Sequence, residues 1–368
     1  MNNVGLSAFE DEMVILIFIW VGLAFLCAAA VLAVAVFVKA SRELCLRKLE
    51  YRRYFSDKGV FEGGETELVE EFTNYSFVPM FVVDVETHIS SEIKMKGCET
   101  DDNITQCFIS RFFVMPYTKI RRVHKAVCQK RGYYKLESAK ITFAGIEVYL
   151  DSRAELYVYP KEIEFKEQKI LNHYMQYSAL SKVPLIEDNF SFAGVRTYIP
   201  GDAMNAINYK QTARRNELMV NAREFMLGRR ILIYLNFQPN ETEHISVSEF
   251  AELLEKEISY GAYMIGECVR NGYMYSLSAN SKMVNCDYLR NDFSIGESKY
   301  EELLCQMAEM GTVYGVSMAS LIEKDIQEFI SGTEIFLITS YLDEALESRI
   351  RQLEKMGNAV NYINVLEV

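Results

Sequence analysis

Positive charge is what this sequence has too little of. Thirty-nine Lys and Arg stand against 51 Asp and Glu, a formal charge of −12 over 368 residues. Neutralising phosphates needs a surplus of basic side chains, so nucleic acid is not an expected partner. Paired cysteines are missing as well. Cys27, Cys45, Cys98, Cys107, Cys128, Cys268, Cys286 and Cys305 form no CxxC and no dense framework. They read as reduced thiols, mostly small buried hydrophobes, with Cys45 placed where acylation is open to it. Clustered histidines are absent: His88, His124, His173 and His244 are scattered, and no HExxH occurs. Gly311 to Gly315 is the nearest approach to a glycine loop, but it lacks the Lys-Ser/Thr and the spacing of a phosphate-binding loop. Paired carboxylates such as Glu70-Glu71 and Glu301-Glu302 read as exposed faces. No catalytic residue, metal or cofactor is expected.

What is present is apolar material, and it is unevenly placed. Half the residues are hydrophobic, including 23 Tyr, 22 Phe and 16 Met. That excludes a disordered chain and suffices for two cores, since single cores stop growing at about 250–300 residues. Met13 to Val38 carries no charge at all. At ~1.5 Å per residue it spans roughly 39 Å, more than the ~30 Å hydrocarbon layer. Glu10, Asp11 and Glu12 precede it, whereas a cleaved signal peptide would want basic residues and a shorter run. Lys39, Arg42, Arg47, Lys48, Arg52 and Arg53 follow it, with only Glu43 and Glu50 among them. Positive flanks stay cytoplasmic, so a single-pass cell-membrane protein is expected, N-terminus outside and C-terminal domains in the cytoplasm. Residues 1–12 carry −3 and residues 39–53 carry +4, which leaves −13 on residues 54–368.

The remainder has two textures. Val83, Val85, Thr87 and Ile89 alternate with Val82, Asp84, Glu86 and His88, a half-buried strand. Comparable runs lie near 67–73, 104–114, 119–129, 133–143, 145–150 and 154–159, punctuated by Gly, Asn, Asp and Pro. Short strands without intervening helices predict an antiparallel β-sandwich. The basic run Lys119 to Lys135, with Tyr117, Tyr133 and Tyr134 interleaved, reads as a solvated sheet face or one lying against an anionic leaflet. Beyond Ile231–Leu235 strands and helices alternate. Ser246 and Glu249 make a capping box, Ser298 and Glu301 another, and Ile335–Thr339 is a compact strand. Asp343 can start the helix that follows, Gly357 can end it, and Ala359–Val365 closes the chain as a strand. This predicts a parallel, doubly wound sheet with right-handed crossovers. The expected architecture is α+β multidomain: tail 1–12, transmembrane helix 13–38, basic juxtamembrane segment 39–59, β-sandwich 60–165, connecting segment 166–225, and α/β domain 226–368.

The connecting segment is the most distinctive stretch: Arg196-Thr-Tyr198-Ile-Pro200-Gly201-Asp202, then Ile207-Asn-Tyr209-Lys210 and Ala213-Arg214. Pro-Gly-Asp is a tight turn, Asp202 can cap a short helix, and Lys210 and Arg214 are i,i+4 neighbours on it. Two readings stand, an ion-paired latch between domains and an anion site; the latch is favoured because such networks at junctions are commonly structural. These residues resemble the bacterial and archaeal family called domain of unknown function 58, whose hallmark is Arg-x-Tyr-x-Pro-Gly-Asp, then Ile-x-Trp-Lys and Ala-Arg. Tyr209 stands where the family has Trp. Arg131-Gly132-Tyr133-Tyr134 and Val158-Tyr159-Pro160 are similar to its upstream motifs, and the likeness covers roughly 60–368.

The resemblance implies a von Willebrand factor A-like C-terminal domain, membrane anchoring (often by two helices), and partners of the MoxR-type AAA+ ATPase and transglutaminase-like membrane protein kinds. In A-like domains Asp-x-Ser-x-Ser after the first strand helps hold a hard cation. The matching register here is Asn236, Gln238 and Asn240, with Pro239 between. Amides in place of carboxylate and hydroxyls make the site degenerate. The expectation is a non-enzymatic membrane-anchored scaffold or adaptor in envelope assembly or stress. The alternative is a metal-dependent A-like module with ligand-binding or hydrolytic activity.

Overall fold

The computed structural model describes residues 4–95, 99–100, 105–181, 186–198, 207–215, 217–226, 229–239, 245–283 and 286–366; for 4–19, 99–100, 177–181, 186–194, 196 and 221–226 it describes the backbone alone. Two units emerge, one of residues 1–58, 64–129 and 134–156, the other of residues 59–63, 130–133 and 157–368. In chain order the elements begin α1 (Val4–Arg47), β1 (Leu49–Phe55), β2 (Gly59–Phe61), β3 (Glu65–Asn74), β4 (Met80–Ser90), β5 (Ile93–Met95), β6 (Glu99–Thr100), β7 (Thr105–Val114), β8 (Lys119–Cys128), β9 (Gly132–Phe143) and β10 (Ile146–Tyr159). There follow α2 (Phe165–Ser181), β11 (Ile186–Thr197), α3 (Tyr209–Arg215), β12 (Met219–Met226), β13 (Arg230–Leu235), α4 (Val247–Arg270), β14 (Met274–Ala279) and β15 (Leu289–Arg290). Then come α5 (Glu297–Glu309), α6 (Met318–Gln327), β16 (Glu334–Thr339), α7 (Glu344–Lys355) and β17 (Ala359–Asn364).

In the first unit α1 runs 44 residues without a proline to break it. Its Trp20–Arg47 portion is long and apolar enough to cross a membrane, and none of its most apolar stretch is buried. The residues expected as a juxtamembrane segment are helix as far as Arg47 and then strand β1. Two sheets follow, β1-β3-β8-β5 and β10-β9-β4-β7-β6, with antiparallel pairing in β1–β3, β3–β8, β5–β8, β4–β7, β4–β9 and β6–β7. Tyr51 and Phe72 from one sheet interleave with Val83, Val85, Phe112 and Ile141 from the other, which makes a sandwich. Cys45, at the end of α1, is buried in the same core.

Three expectations fail here. The runs near 145–150 and 154–159 are one strand, β10, because Ser152 between them is buried and accepts a hydrogen bond on its carbonyl from Arg53 Nε (2.8 Å). Arg53 belongs to no basic collar: its guanidinium is inside the sandwich, also donating to Thr87 Oγ1 (3.0 Å) and the Ser138 carbonyl (2.8 Å). Glu70 is not on an exposed face but fully buried; Glu71 beside it is half-buried and pairs with Lys119 (2.7 Å).

The second unit carries the sheet β15-β14-β13-β16-β17, parallel except for β15. Ile231, Ile233 and Leu235 face a layer with residues of α2, α4 and α5, while Leu232 and Tyr234 face residues of α6 and α7. A strand covered on both faces explains the unbroken apolar run Ile231–Leu235. Helix α2 lies in the stretch read as a connection, and its Leu171 and Met175 enter this core. β11 and β12 pair antiparallel as a separate ribbon, and β2 pairs in parallel with Tyr157–Tyr159 at the end of β10.

The Ser246–Glu249 capping box forms on α4, Asp343 accepts from the Leu346 amide to start α7, and Gly357 follows α7 with φ +88°. The Ser298 cap does not form: α5 starts two residues earlier than that cap would place it, after Gly296 at φ 91°, with no side-chain cap.

Candidate functional site

Parallel strands bring their carboxyl ends together, and ligands of open α/β sheets sit beyond those ends. In the second unit that place is built by Asn236 after β13, Asn280 after β14, and Thr339 and Ser340 at the end of β16, all buried. The Asn236 amide nitrogen donates to Thr339 Oγ1 (2.9 Å). Its Oδ1 accepts from Asn280 Nδ2 (3.1 Å) and from the Gln238 backbone N–H (3.2 Å), the second bond being an Asx-turn that folds the loop back on itself. Asn280 Oδ1 accepts from the Phe237 amide (2.7 Å), and Thr339 Oγ1 donates to the Tyr341 carbonyl (3.0 Å). Amide and hydroxyl groups therefore brace three loops against one another.

A resident hard cation would need carboxylate oxygens at this point. The residues present do not fit one. Asn236 is neutral and both Oδ1 bonds are taken by its neighbours; Gln238 is half-buried; Asn240 lies outside the described residues. The nearby acid is Glu257 on α4, fully buried. Burial pushes its pKa far above the carboxylate range, offset in small part by the backbone of Ser340. Burial therefore favours its uncharged form, which suits a hard cation poorly.

Of the motif residues, Arg196 lies on β11 opposite Val220 of β12, with its backbone alone described. Tyr198 follows β11, and its amide donates to the Leu218 carbonyl (2.8 Å). Lys210 and Arg214 are exposed on α3, with no ion-pair partner among the described residues. Pro200, Gly201 and Asp202, on which both the latch and the anion site depend, lie outside the described residues. The cap of α3 is supplied by Asn208, whose Oδ1 accepts from the Gln211 amide (3.1 Å).

Other groups came together that the sequence kept apart. Arg131, read as part of a basic surface run, is buried in the second unit and makes a two-pronged pair with Glu255 of α4 (2.7 and 2.8 Å). Its Nη1 also donates to the Met310 carbonyl (2.9 Å) at the end of α5, where orphan carbonyls need donors. Arg229 and Glu334 form a second buried pair (2.6 Å) at the opposite, amino ends of β13 and β16. In the first unit Glu86, His88 and Cys107 place a carboxylate oxygen, an imidazole nitrogen and a thiol within 4.8 Å of one another, His88 and Cys107 being cross-strand partners. Lys140 stands 3.7 Å from Glu86 and supplies positive charge already. A periodicity argument along one strand cannot see such cross-strand groupings.

No family model and no curated protein matches this chain. Solved structures align over about a third of it. A CARDB domain from Pyrococcus furiosus is 11% identical over 30% of this chain and 91% of its own, with a TM-score of 0.22. A type I cohesin from Pseudobacteroides cellulosolvens is 10% identical over 31% and 95%, with a TM-score of 0.20. A cohesin from Archaeoglobus fulgidus is 10% identical over 34% and 99%, with a TM-score of 0.21. Likenesses this faint carry no weight for function.

Proposed function

We propose that this chain is a non-enzymatic, membrane-anchored interaction protein of the domain of unknown function 58 kind, held by one helix with its N-terminus outside and its two units in the cytoplasm. The observation that carries the reading is the strand-end cluster of the second unit. It occupies the ligand position of an α/β sheet, yet its polar groups are bonded to one another, and burial raises the pKa of the nearby Glu257 carboxyl. Chemistry needs a poised charge or nucleophile there; a docking surface does not. The central strand β13 with parallel neighbours, helices on both faces and an antiparallel edge strand supports the von Willebrand factor A-like assignment. The same cluster weighs against the metal-dependent alternative. The unbroken course of α1 into the sandwich core supports the anchor, and exposed Lys39, Arg42, Arg47 and Lys48 at its end support the orientation.

The partners we propose are a MoxR-type AAA+ ATPase and a transglutaminase-like membrane protein, acting together in envelope assembly or stress. Tagged full-length chain at native abundance, extracted in mild detergent, should co-purify such an ATPase in at least one of the ATP, ADP and nucleotide-free states. Capture of no ATPase in any of them removes this partner.

A further inference from the structure

Where α1 leaves its apolar run it forms one wall of an open cavity of about 670 Å³, a size typical of small-molecule sites at roughly 300–1,000 Å³. The wall runs from Phe37 to Cys45, about 12 Å along the helix. Lys39, the first charge after Met13–Val38, lies within that span. One end of the cavity is thus level with the last apolar residues and the other with the basic ones. The opposite wall belongs to the same unit: Phe77, Phe81 and Val82 ahead of and within β4, and Ala144 in the β9–β10 turn.

This lip is unusual for a sandwich. Phe81 is 60% exposed, Val82 52% and Phe113 52%, and the Phe81 and Phe113 rings pack at 5.4 Å. Contiguous exposed aromatics beside a membrane helix are the pattern of a surface meant for lipid. Two charged groups line the cavity. Asp84 is neutralised by a two-pronged pair with Arg111 (2.7 and 3.1 Å). Arg42 makes one long bond to the Ala144 carbonyl (3.4 Å) and stays exposed at the cavity wall, with no ion-pair partner among the described residues.

We infer that this cavity holds one anionic phospholipid of the bilayer, an acyl chain against Phe77, Phe81 and Val82 and the phosphate on Arg42. Lipid rather than a soluble anion follows from the walls: the apolar side is continuous with the helix surface that faces hydrocarbon, and a free phosphate would leave it uncovered. Arg42 fits because a guanidinium binds phosphate oxygens in pairs. The assignment rests on α1 crossing the membrane.

The test uses full-length protein. Membranes are first washed with alkaline carbonate to ask whether the chain is integral. The detergent-purified chain is then exchanged into equal phosphatidylglycerol and phosphatidylcholine, and retained lipid is read by native mass spectrometry. The expected result is a carbonate-resistant chain keeping one phosphatidylglycerol. Retention falls about tenfold in Arg42→Ala, the weight of one charge-assisted hydrogen bond, is partly kept in Arg42→Lys, which keeps the charge but not the paired donors, and falls for both lipids in Ser41→Trp, which narrows the cavity. Melting temperatures of the variants should match wild type, since Arg42 and Ser41 lie outside the core. A carbonate-resistant chain that keeps no lipid, keeps both lipids equally, or keeps phosphatidylglycerol undiminished in Arg42→Ala overturns the lipid site and leaves the anchor standing. Release by carbonate overturns the anchor, and the site with it.

Discussion

Glu70 illustrates how far a single side chain can depart from its local sequence. It accepts from Tyr51 Oη (2.6 Å), from Ser110 Oγ and from His124 Nε2 (2.9 Å) inside the sandwich. Burial works to raise its pKa, but the bonds from His124, Ser110 and Tyr51 more than offset it and hold the carboxyl below its ordinary value of 4.5. A carboxyl depressed in the folded state contributes stability above its unfolded pKa and loses it as pH falls through the folded one. Wild-type stability should therefore decline as pH drops below about 4.5. Glu70→Gln should cost about 3 kcal/mol at neutral pH, within the range for disabling one member of a buried charged network, and should flatten that acid decline. Chemical denaturation at several pH values reads both; an equal acid slope in the two proteins would deny Glu70 this role. Arg53 and Arg131 belong with it. Nothing in the runs around them distinguishes a buried guanidinium from a solvated one, since what buries them is pairing with strands and helices distant in the chain.

At the scale of elements, the sequence was readable at most places where structure is decided locally, the Ser298 cap being the exception. Ser246 with Glu249, Asp343 and Gly357 act within one helical turn, and all three do what their positions announced. Strand alternation from Val83 to Ile89 likewise set the buried face correctly. Helix α2 escaped because its buried residues, Leu171 and Met175, form too thin a stripe to stand out. The division of β10 into two failed because Asp151-Ser152-Arg153 looks like a turn until Arg53 is seen reaching into it. At the strand ends, Asn236 was legible as a lost anion, but its bracing by Asn280 and Thr339 was not, because those residues lie more than forty positions away. Gly315 is a further case. It was noted as half of a failed phosphate loop, whereas its work is steric: a Cβ there would lie 2.1 Å from the Asp287 carbonyl oxygen, while its amide bonds the Asn280 carbonyl at 2.9 Å. Because the obstacle is backbone, Gly315→Ala should destabilise the second unit by about 3 kcal/mol or more, an overpacking cost at the upper end of its range. Gly311→Ala, with its nearest atom at 3.5 Å, should be tolerated. Thermal melts of the two variants side by side decide it; equal melting points would mean that the loop yields.

At the scale of the whole molecule, charge and hydrophobicity are separated along the chain in a way that assigns each part a setting. The large apolar residues of α1 from Trp20 to Val38 are exposed, as a lipid environment would reward. The cations at its end sit beside an aromatic lip on the sandwich, and residues 54–368 carry a net −13, a charge that an anionic leaflet would repel. The account's central claim is that one helix anchors the chain with both units on the cytoplasmic side. Cys286 offers the most direct measurement, because it is an exposed thiol of the second unit. Intact cells expressing the full chain are treated with a membrane-impermeant maleimide, then the same is done after permeabilisation, with Cys286→Ser as the control. Labelling of Cys286 only after permeabilisation is the predicted result. Equal labelling in intact cells would contradict the orientation and, with it, the cytoplasmic partners proposed here.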